Sequence, residues 1–157
     1  MLRLTLIWVD KTKEPWLRTG IGLYLSRLRR YLEVTVKEVK GCPHLPRSDP
    51  KKILEFEAAA IRKAIPRGAA TIALHENGRG LDSPGLAWLL TAAETKGVRD
   101  LAMITGGPSG LNEDLIKNSD DRLSLSPMTF THEMARLILL EQLYRACTIR
   151  AGWPYHH

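Results

Sequence analysis

Apolar and polar positions alternate along the chain in a regular order. Residues 2–9 (LRLTLIWV) are almost continuously apolar, with β-branched and aromatic side chains, and predict a buried strand. From residue 14 to 31 the apolar positions Trp16, Leu17, Ile21, Leu25 and Leu28, continued by Leu32, recur at helical spacing. Arg27, Arg29 and Arg30 fall near the end of that helix, where its dipole favours cations. Residues 34–39 (VTVKEV) alternate like a second strand. Residues 41–49, with two prolines and a glycine, predict a loop. Ser48 or Asp49 can cap a helix that has Pro50 in its first turn, runs to about Ala64 and stops at Pro66.

The second half repeats the scheme. Residues 70–74 (ATIAL) predict a short apolar strand, and residues 76–82 (ENGRGLD) a turn-rich loop. Ser83 followed by Pro84 predicts the cap of a helix reaching about Thr95, ended by Gly97. Residues 101–104 form a fourth strand running into Gly106-Gly107-Pro108-Ser109-Gly110. A short helix at 112–118 and a fifth strand at 123–125 follow. Thr131 caps a last helix from His132 to about Ile149, ended by Gly152 and Pro154. Strands alternating with helices predict an α/β fold: a mostly parallel sheet with helices on both faces. Ligands of such sheets bind beyond the carboxyl ends of the strands.

With 157 residues and no internal repeat or linker, the chain reads as a single domain, residues 1–157. Hydrophobic residues at 44% and charged residues at 25% exclude disordered and fibrous classes. The net charge of +6 favours a polyanionic partner. The two cysteines, Cys42 and Cys147, form no CxxC or Cys/His cluster, so neither a zinc site nor a disulfide scaffold is expected, in keeping with a reducing cytoplasm. No run approaches the roughly 18 apolar residues of a membrane span, and the amino-terminal run is too short for a signal peptide.

Four segments carry candidate chemistry, each with a plain structural alternative. The glycine turn at 106–110 can bring backbone close to a ligand, or simply be a tight turn. It is neither GxGxxG nor a P-loop. Residues 123–131 (LSLSPMTFT) offer hydroxyls and free backbone N–H groups to a heterocycle, with Leu125, Met128 and Phe130 to pack its face. They equally read as a Ser-rich lead into the last helix. The last helix is apolar nearly all round, which fits either a dimer face or the central helix of a monomer. Its Glu141 and Arg145 stand i,i+4 and can pair. The ending Trp153-Pro154-Tyr155-His156-His157 can stack on or hydrogen-bond a base, or be a frayed tail. No GxSxG elbow is present, which disfavours hydrolysis.

Taken together, Ile104 to Gly110, Leu125 to His132, Arg136, Glu141 to Ala146 and Pro154-Tyr155-His156 resemble the RlmH-type ribosomal large subunit methyltransferases of the SPOUT superfamily, and Ala73-Leu74, Gly78 and Asp82-Ser83 fit the same pattern. The resemblance spans the whole chain and is most specific in its C-terminal half. It implies an α/β fold with a deep C-terminal trefoil knot, and a cytoplasmic homodimer. The implied activity is methyl transfer from S-adenosylmethionine, without a metal, to N3 of a pseudouridine in 23S rRNA of assembled ribosomes. Carried over by position, the cofactor pocket is Leu74, Gly106 and Gly107 with Leu125, Ser126, Pro127, Met128, Thr129 and Phe130. Arg145, Tyr155 and His156 correspond to positions tied to RNA and the target base, with His156 as the expected base, Tyr155 orienting the ring and Arg145 meeting charge. Arg27, Arg29, Arg30, Lys37 and Lys40 are candidate phosphate contacts. The chain departs from the family pattern at His75, in the loop at 41–46 and in its second terminal histidine, His157. A non-catalytic ribosome-binding factor and a SPOUT tRNA methyltransferase are the competing expectations.

Overall fold

Six of the seven residues of the first strand, β1 (Arg3–Val9), are buried, as a strand with neighbours on both edges and helices on both faces requires. The structure, a computed structural model, describes residues 1–43 and 49–155. After β1 come α1 (Pro15–Leu28), β2 (Glu33–Val39), α2 (Pro50–Ala64), β3 (Ala70–Gly80), α3 (Ser83–Thr95), β4 (Asp100–Ile104), α4 (Glu113–Asn118), β5 (Asp121–Ser124) and α5 (His132–Ala151). The five strands lie in the order β2-β1-β4-β3-β5, and every neighbouring pair is parallel.

Side-chain alternation along β1 divides the core. Leu4, Leu6 and Trp8 pack with residues of α1, α3 and α5 on one face. Ile7 and Val9 pack with Ile61 of α2 and Leu115 of α4 on the other. α5 lies against both α1 and α3, so within one chain it is the central helix of its layer. Leu139, Leu140, Leu143 and Ala146 are fully buried there. Gly20 of α1 is what admits Leu137, since a Cβ at that glycine would stand 3.1 Å from the Leu137 side chain.

Three local expectations need revision. The segment at 76–82 is not wholly a loop: β3 continues to Gly80, and Leu123 of β5 faces both Leu74 and Arg79. Residues 75–78 therefore bulge out of the ladder. Gly78 serves close approach there, because a Cβ would lie 2.8 Å from the backbone of Arg122 and Leu123. The cap of α3 is Asp82, whose carboxylate accepts from the Gly85 N–H at 2.7 Å, and Ser83 is the first helical residue. β5 begins two residues earlier than expected and ends at Ser124. Thr131 caps α5 as expected, and Gly152 ends it at φ +70°. Burial pushes the Cys147 thiol up to about 11, leaving it a packing residue. Among the described residues no helix is long and apolar enough to cross a membrane.

Arg136 of α5 is completely buried. Its guanidinium donates to the Val9 carbonyl at 2.5 Å and to the Thr12 hydroxyl at 2.9 Å, and lies 5.1 Å from the centre of the Trp8 ring. One turn earlier, the Glu133 carboxylate accepts from the backbone N–H of Lys13 at 2.5 Å and of Glu14 at 3.2 Å. The start of α5 thus grips the β1–α1 connection. An Arg136→Ala substitution leaves the Val9 carbonyl and Thr12 hydroxyl unpaired beside a cavity. It is expected to lower unfolding free energy by about 3 kcal/mol, read as a shifted midpoint in urea denaturation at unchanged slope.

Candidate functional site

Three loops leave the carboxyl ends of β3, β4 and β5 on the same edge of the sheet and enclose a cavity of about 670 Å³. That size lies within the range of small-molecule sites, about 300–1,000 Å³. β3 contributes Leu74, His75 and Glu76; the turn after β4 contributes residues 105–111; β5 and the loop after it contribute residues 123–131 except Pro127. The first turn of α5 closes it with His132 and Ala135. The expected pocket residues Leu74, Gly106, Gly107, Leu125, Ser126, Met128, Thr129 and Phe130 all line this cavity. Pro127 belongs to the same loop but does not face it.

The glycines of the β4 turn act chiefly on the chain itself. A Cβ on Gly106 would lie 2.5 Å from the carbonyl group of Gly110, an overlap that backbone cannot relieve by a rotamer change. Gly110 has φ +81°, and its N–H donates to the Gly107 carbonyl at 3.0 Å. Gly107 faces the Val9 side chain, 3.2 Å from where its Cβ would be. The turn is folded onto itself and onto β1, which leaves its edge free to form a wall. In the β5 loop, Ser124 donates to the Ser126 carbonyl at 3.0 Å and the Ser126 hydroxyl accepts from the Met128 N–H at 2.9 Å. Met128 is 76% exposed at the rim of the cavity.

His132 was part of the matched segment but carried no expected role, and the structure places it on the cavity wall. Burial, and then the neighbouring Arg136 guanidinium, hold its imidazole below the ordinary histidine range, with Lys13 acting the same way; Glu133 and Asp10 oppose them. Thr105, Ser109 and Thr131 also line the cavity; they fall in the matched segments, although no individual role in the site was expected of them. Among the described residues no cluster of His, Cys, Asp and Glu is arranged to hold a metal.

Arg145 and Tyr155 lie elsewhere, on the later turns of α5 and the tail that folds back onto it. The Arg145 guanidinium pairs with Glu141 and stands 4.9 Å from the centre of the Tyr155 ring. Tyr155 meets Tyr144 edge-on at 4.7 Å. Neither Arg145 nor Tyr155 lines the cavity. His156 and His157 lie outside the described residues, as does the loop from His44 to Ser48. Of the expected phosphate contacts, Arg29, Arg30 and Lys40 are exposed. Lys37 instead donates to the Ala64 carbonyl at 2.7 Å, at the end of α2. Arg27 lies over the rings of Tyr24 and Tyr144, at 5.4 and 5.7 Å.

The parallel sheet, the three converging loops and the glycine turn define a class. Residues 2–156 match the family described as Predicted SPOUT methyltransferase, and the chain belongs to that family. Among named relatives, the ribosomal RNA large subunit methyltransferase H of Pelobacter propionicus (strain DSM 2379 / NBRC 103807 / OttBd1) is 39% identical over 156 residues, covering 99% of this chain and all of the relative. The protein of the same name from Geobacter sp. (strain M21) is 40% identical over 159 residues, covering 99% of each chain. Solved structures share the fold at much lower identity. One described as a probable methylase family protein from Haemophilus influenzae Rd KW20 superposes with a TM-score of 0.58 at 13% identity, covering 100% of this chain and 72% of that one. Another, described as a probable methyltransferase from Bordetella pertussis Tohama I, gives 0.56 at 14% identity and covers 93% and 96%.

Gly106→Ala is expected to unfold the β4 turn locally and cost at least about tenfold in ligand affinity, with the melting temperature lowered by a few degrees; titration calorimetry and thermal denaturation read the two effects. For His132 the sign follows from its depressed folded-state pKa. The unfolded chain binds the proton more readily, so the contribution to stability is present above about pH 6.5 and is lost as pH falls through the lowered value. His132→Asn should flatten that acid-side loss in a series of urea midpoints between pH 5 and 8.

Proposed function

We propose that the protein methylates N3 of a pseudouridine in 23S rRNA of assembled ribosomes, with S-adenosylmethionine as the donor, as a cytoplasmic homodimer. The observation that carries this reading is the cavity at the ends of β3, β4 and β5, lined by all but one of the expected pocket residues. Full-length relatives named ribosomal RNA large subunit methyltransferase H support the choice of substrate. The net charge of +6 suits a polyanion.

The cavity fits S-adenosylmethionine in chemistry as well as size. Leu74, Leu125, Met128 and Phe130 give apolar surface for an adenine ring, while the backbone of the β4 turn and of residues 125–130 gives donors and acceptors for its edge and for the ribose. His132, held neutral, puts no cation against a sulfonium. When bound, S-adenosylmethionine supplies a methyl group already activated on a cationic sulfur. The protein then has to align that carbon with N3 and exclude water, and alignment of this kind lowers a barrier by about 7–11 kcal/mol. As the S–CH₃ bond breaks and the N–CH₃ bond forms, the N3 proton leaves. His156 is the base we assign to it, because an imidazole is the side chain suited to taking a proton near neutral pH. Tyr155 orients the ring, and Arg145 meets the charge that develops on it or a flanking phosphate.

Within one chain, the cavity and the Arg145–Tyr155 cluster are separate. A two-fold pairing through the α1 and α5 layer would give each cavity a cluster from its partner. The deep trefoil knot is part of the same proposal. Its support is the close passage of residues 122–123 against Gly78 and the double pairing of Leu123 with Leu74 and Arg79.

The test is transfer of labelled methyl to assembled ribosomes lacking the modification, to free 23S rRNA and to bulk tRNA, with the product nucleotide mapped by mass spectrometry. Label at one pseudouridine of assembled ribosomes is expected, and Tyr155→Phe or His156→Ala should lower the rate at least about tenfold. Label on tRNA alone, or none with folded protein, overturns the assignment.

A further inference from the structure

Glu141 lies at the middle of α5 and collects donors from three side chains. Its Oε2 accepts from the Gln142 amide at 2.7 Å. Its Oε1 accepts from Arg145 Nε at 3.1 Å, again from the same guanidinium through Nη2, and from the Tyr155 hydroxyl at 3.2 Å. An exposed i,i+4 ion pair contributes little and is dispensable. The Glu141 and Arg145 side chains are only about one-fifth exposed, at 20% and 21%, and the carboxylate is shared with two further donors.

Each of those donors is fixed a second time. The Gln142 carbonyl accepts from the Ser83 hydroxyl at 2.6 Å. A carboxylate only accepts, so Glu141 also dictates which end of the Gln142 amide faces it. The Arg145 guanidinium is stacked 4.9 Å from the Tyr155 ring centre. Tyr155 is held by Tyr144 at its ring edge and by Tyr24 at its hydroxyl, 3.5 Å away. Beyond Gly152 the tail keeps backbone bonds from Trp153 N–H to the Thr148 carbonyl and from Tyr155 N–H to the Trp153 carbonyl. The hydroxyl of Tyr155 ties the tail to α5 by a side-chain hydrogen bond, and Glu141 is the acceptor on that helix. Burial and the Glu141 charge hold the Tyr155 phenol protonated, so it donates to Glu141 and is not available to take a proton. Glu141 itself lines no part of the cavity.

We infer that Glu141 is a positioning residue of the acceptor side: its carboxylate sets the guanidinium of Arg145 and the phenol of Tyr155 in one fixed arrangement, and thereby the point from which the chain continues to His156. The inference rests on the function proposed above, in which Arg145, Tyr155 and His156 meet the RNA. Glu141 acts through these groups and touches neither donor nor acceptor.

The experiment compares wild type with Glu141→Gln and Glu141→Asp in the full-length protein. With assembled ribosomes, Glu141→Gln should lower kcat about tenfold while the Kd for S-adenosylmethionine, by calorimetry, stays within about twofold; Glu141→Asp should recover part of the rate. In an Arg145→Ala/Tyr155→Phe background the same Glu141→Gln change should cost less than about twofold, because its targets are gone. A purely structural role would instead cost the same factor in both backgrounds and would lower donor affinity, and either result overturns the inference. A second readout needs no methyl transfer. Carboxypeptidase should release the terminal residues faster from Glu141→Gln than from wild type, and equal rates overturn the proposal. Wild-type protein that methylates no RNA would refute the functional reading, while the digestion rates still decide whether Glu141 fixes the tail. Activity that falls with Arg145→Ala and Tyr155→Phe but not with Glu141→Gln refutes the inference alone.

Discussion

The register of α5 rests on one buried guanidinium. Arg136 has no exposed surface and reaches the Val9 carbonyl at the end of β1. A helix held only by leucines can slide or rotate by fractions of a turn at modest cost. A helix whose cation must meet a carbonyl and a hydroxyl cannot, because a displaced charge would be buried without partners. Both halves of the proposed chemistry hang from this helix. His132 and Ala135, within about one turn before that anchor, form part of the cavity wall, and Glu141 and Arg145, beyond it on the same helix, belong to the tail cluster. One polar contact to β1 therefore sets two distant pieces of surface with respect to the sheet.

Much of this was legible in the sequence. Ten elements in strict alternation, with Pro50, Pro84, Thr131 and Gly152 as punctuation, give the α/β class from local chemistry alone. The cavity-forming loops were legible because hydroxyls and glycines after apolar strands are poor core material. What stayed hidden depends on distant partners. The continuation of β3 through His75 to Gly80 could not be read, since glycines and an asparagine signal a turn, and only the passage of β5 turns them into a bulged strand. Ser83 looked like a cap because it precedes a proline, yet Asp82 caps and the serine bonds Gln142, 59 positions along the chain. Lys37 looked like a phosphate ligand until the end of α2 supplied it with a carbonyl.

The two clusters differ in how they are held. The cavity is framed largely by backbone, with glycines whose missing side chains let turns close on themselves. That gives a rigid shape with few charged groups, suited to a ligand recognised by its outline and edge. The tail cluster is framed by aromatic rings, a carboxylate and a guanidinium, with Arg27 stacked beside them. That gives a surface whose polarity depends on which side chains remain paired. In the proposed reading, a nucleotide would meet an Arg145 whose guanidinium Glu141 already holds in place.

The parallel sheet has a consequence for how the chain comes into being. β1 is made first, but its inner neighbour is β4, and the Arg3–Asp100 ion pair at the edge of that ladder joins residues 97 positions apart. Until Asp100 to Ile104 have left the exit tunnel, β1 and β2 have only each other and the early helices. Their Leu4, Leu6 and Trp8 stay open to solvent on the side that α3 and α5 will cover. Long-range parallel pairing is slow to form. Residues 1–99 therefore spend most of synthesis as a half-sheet with a naked edge. In that interval the unpaired edge of β1 and its uncovered apolar side chains are the surfaces most exposed to wrong pairing.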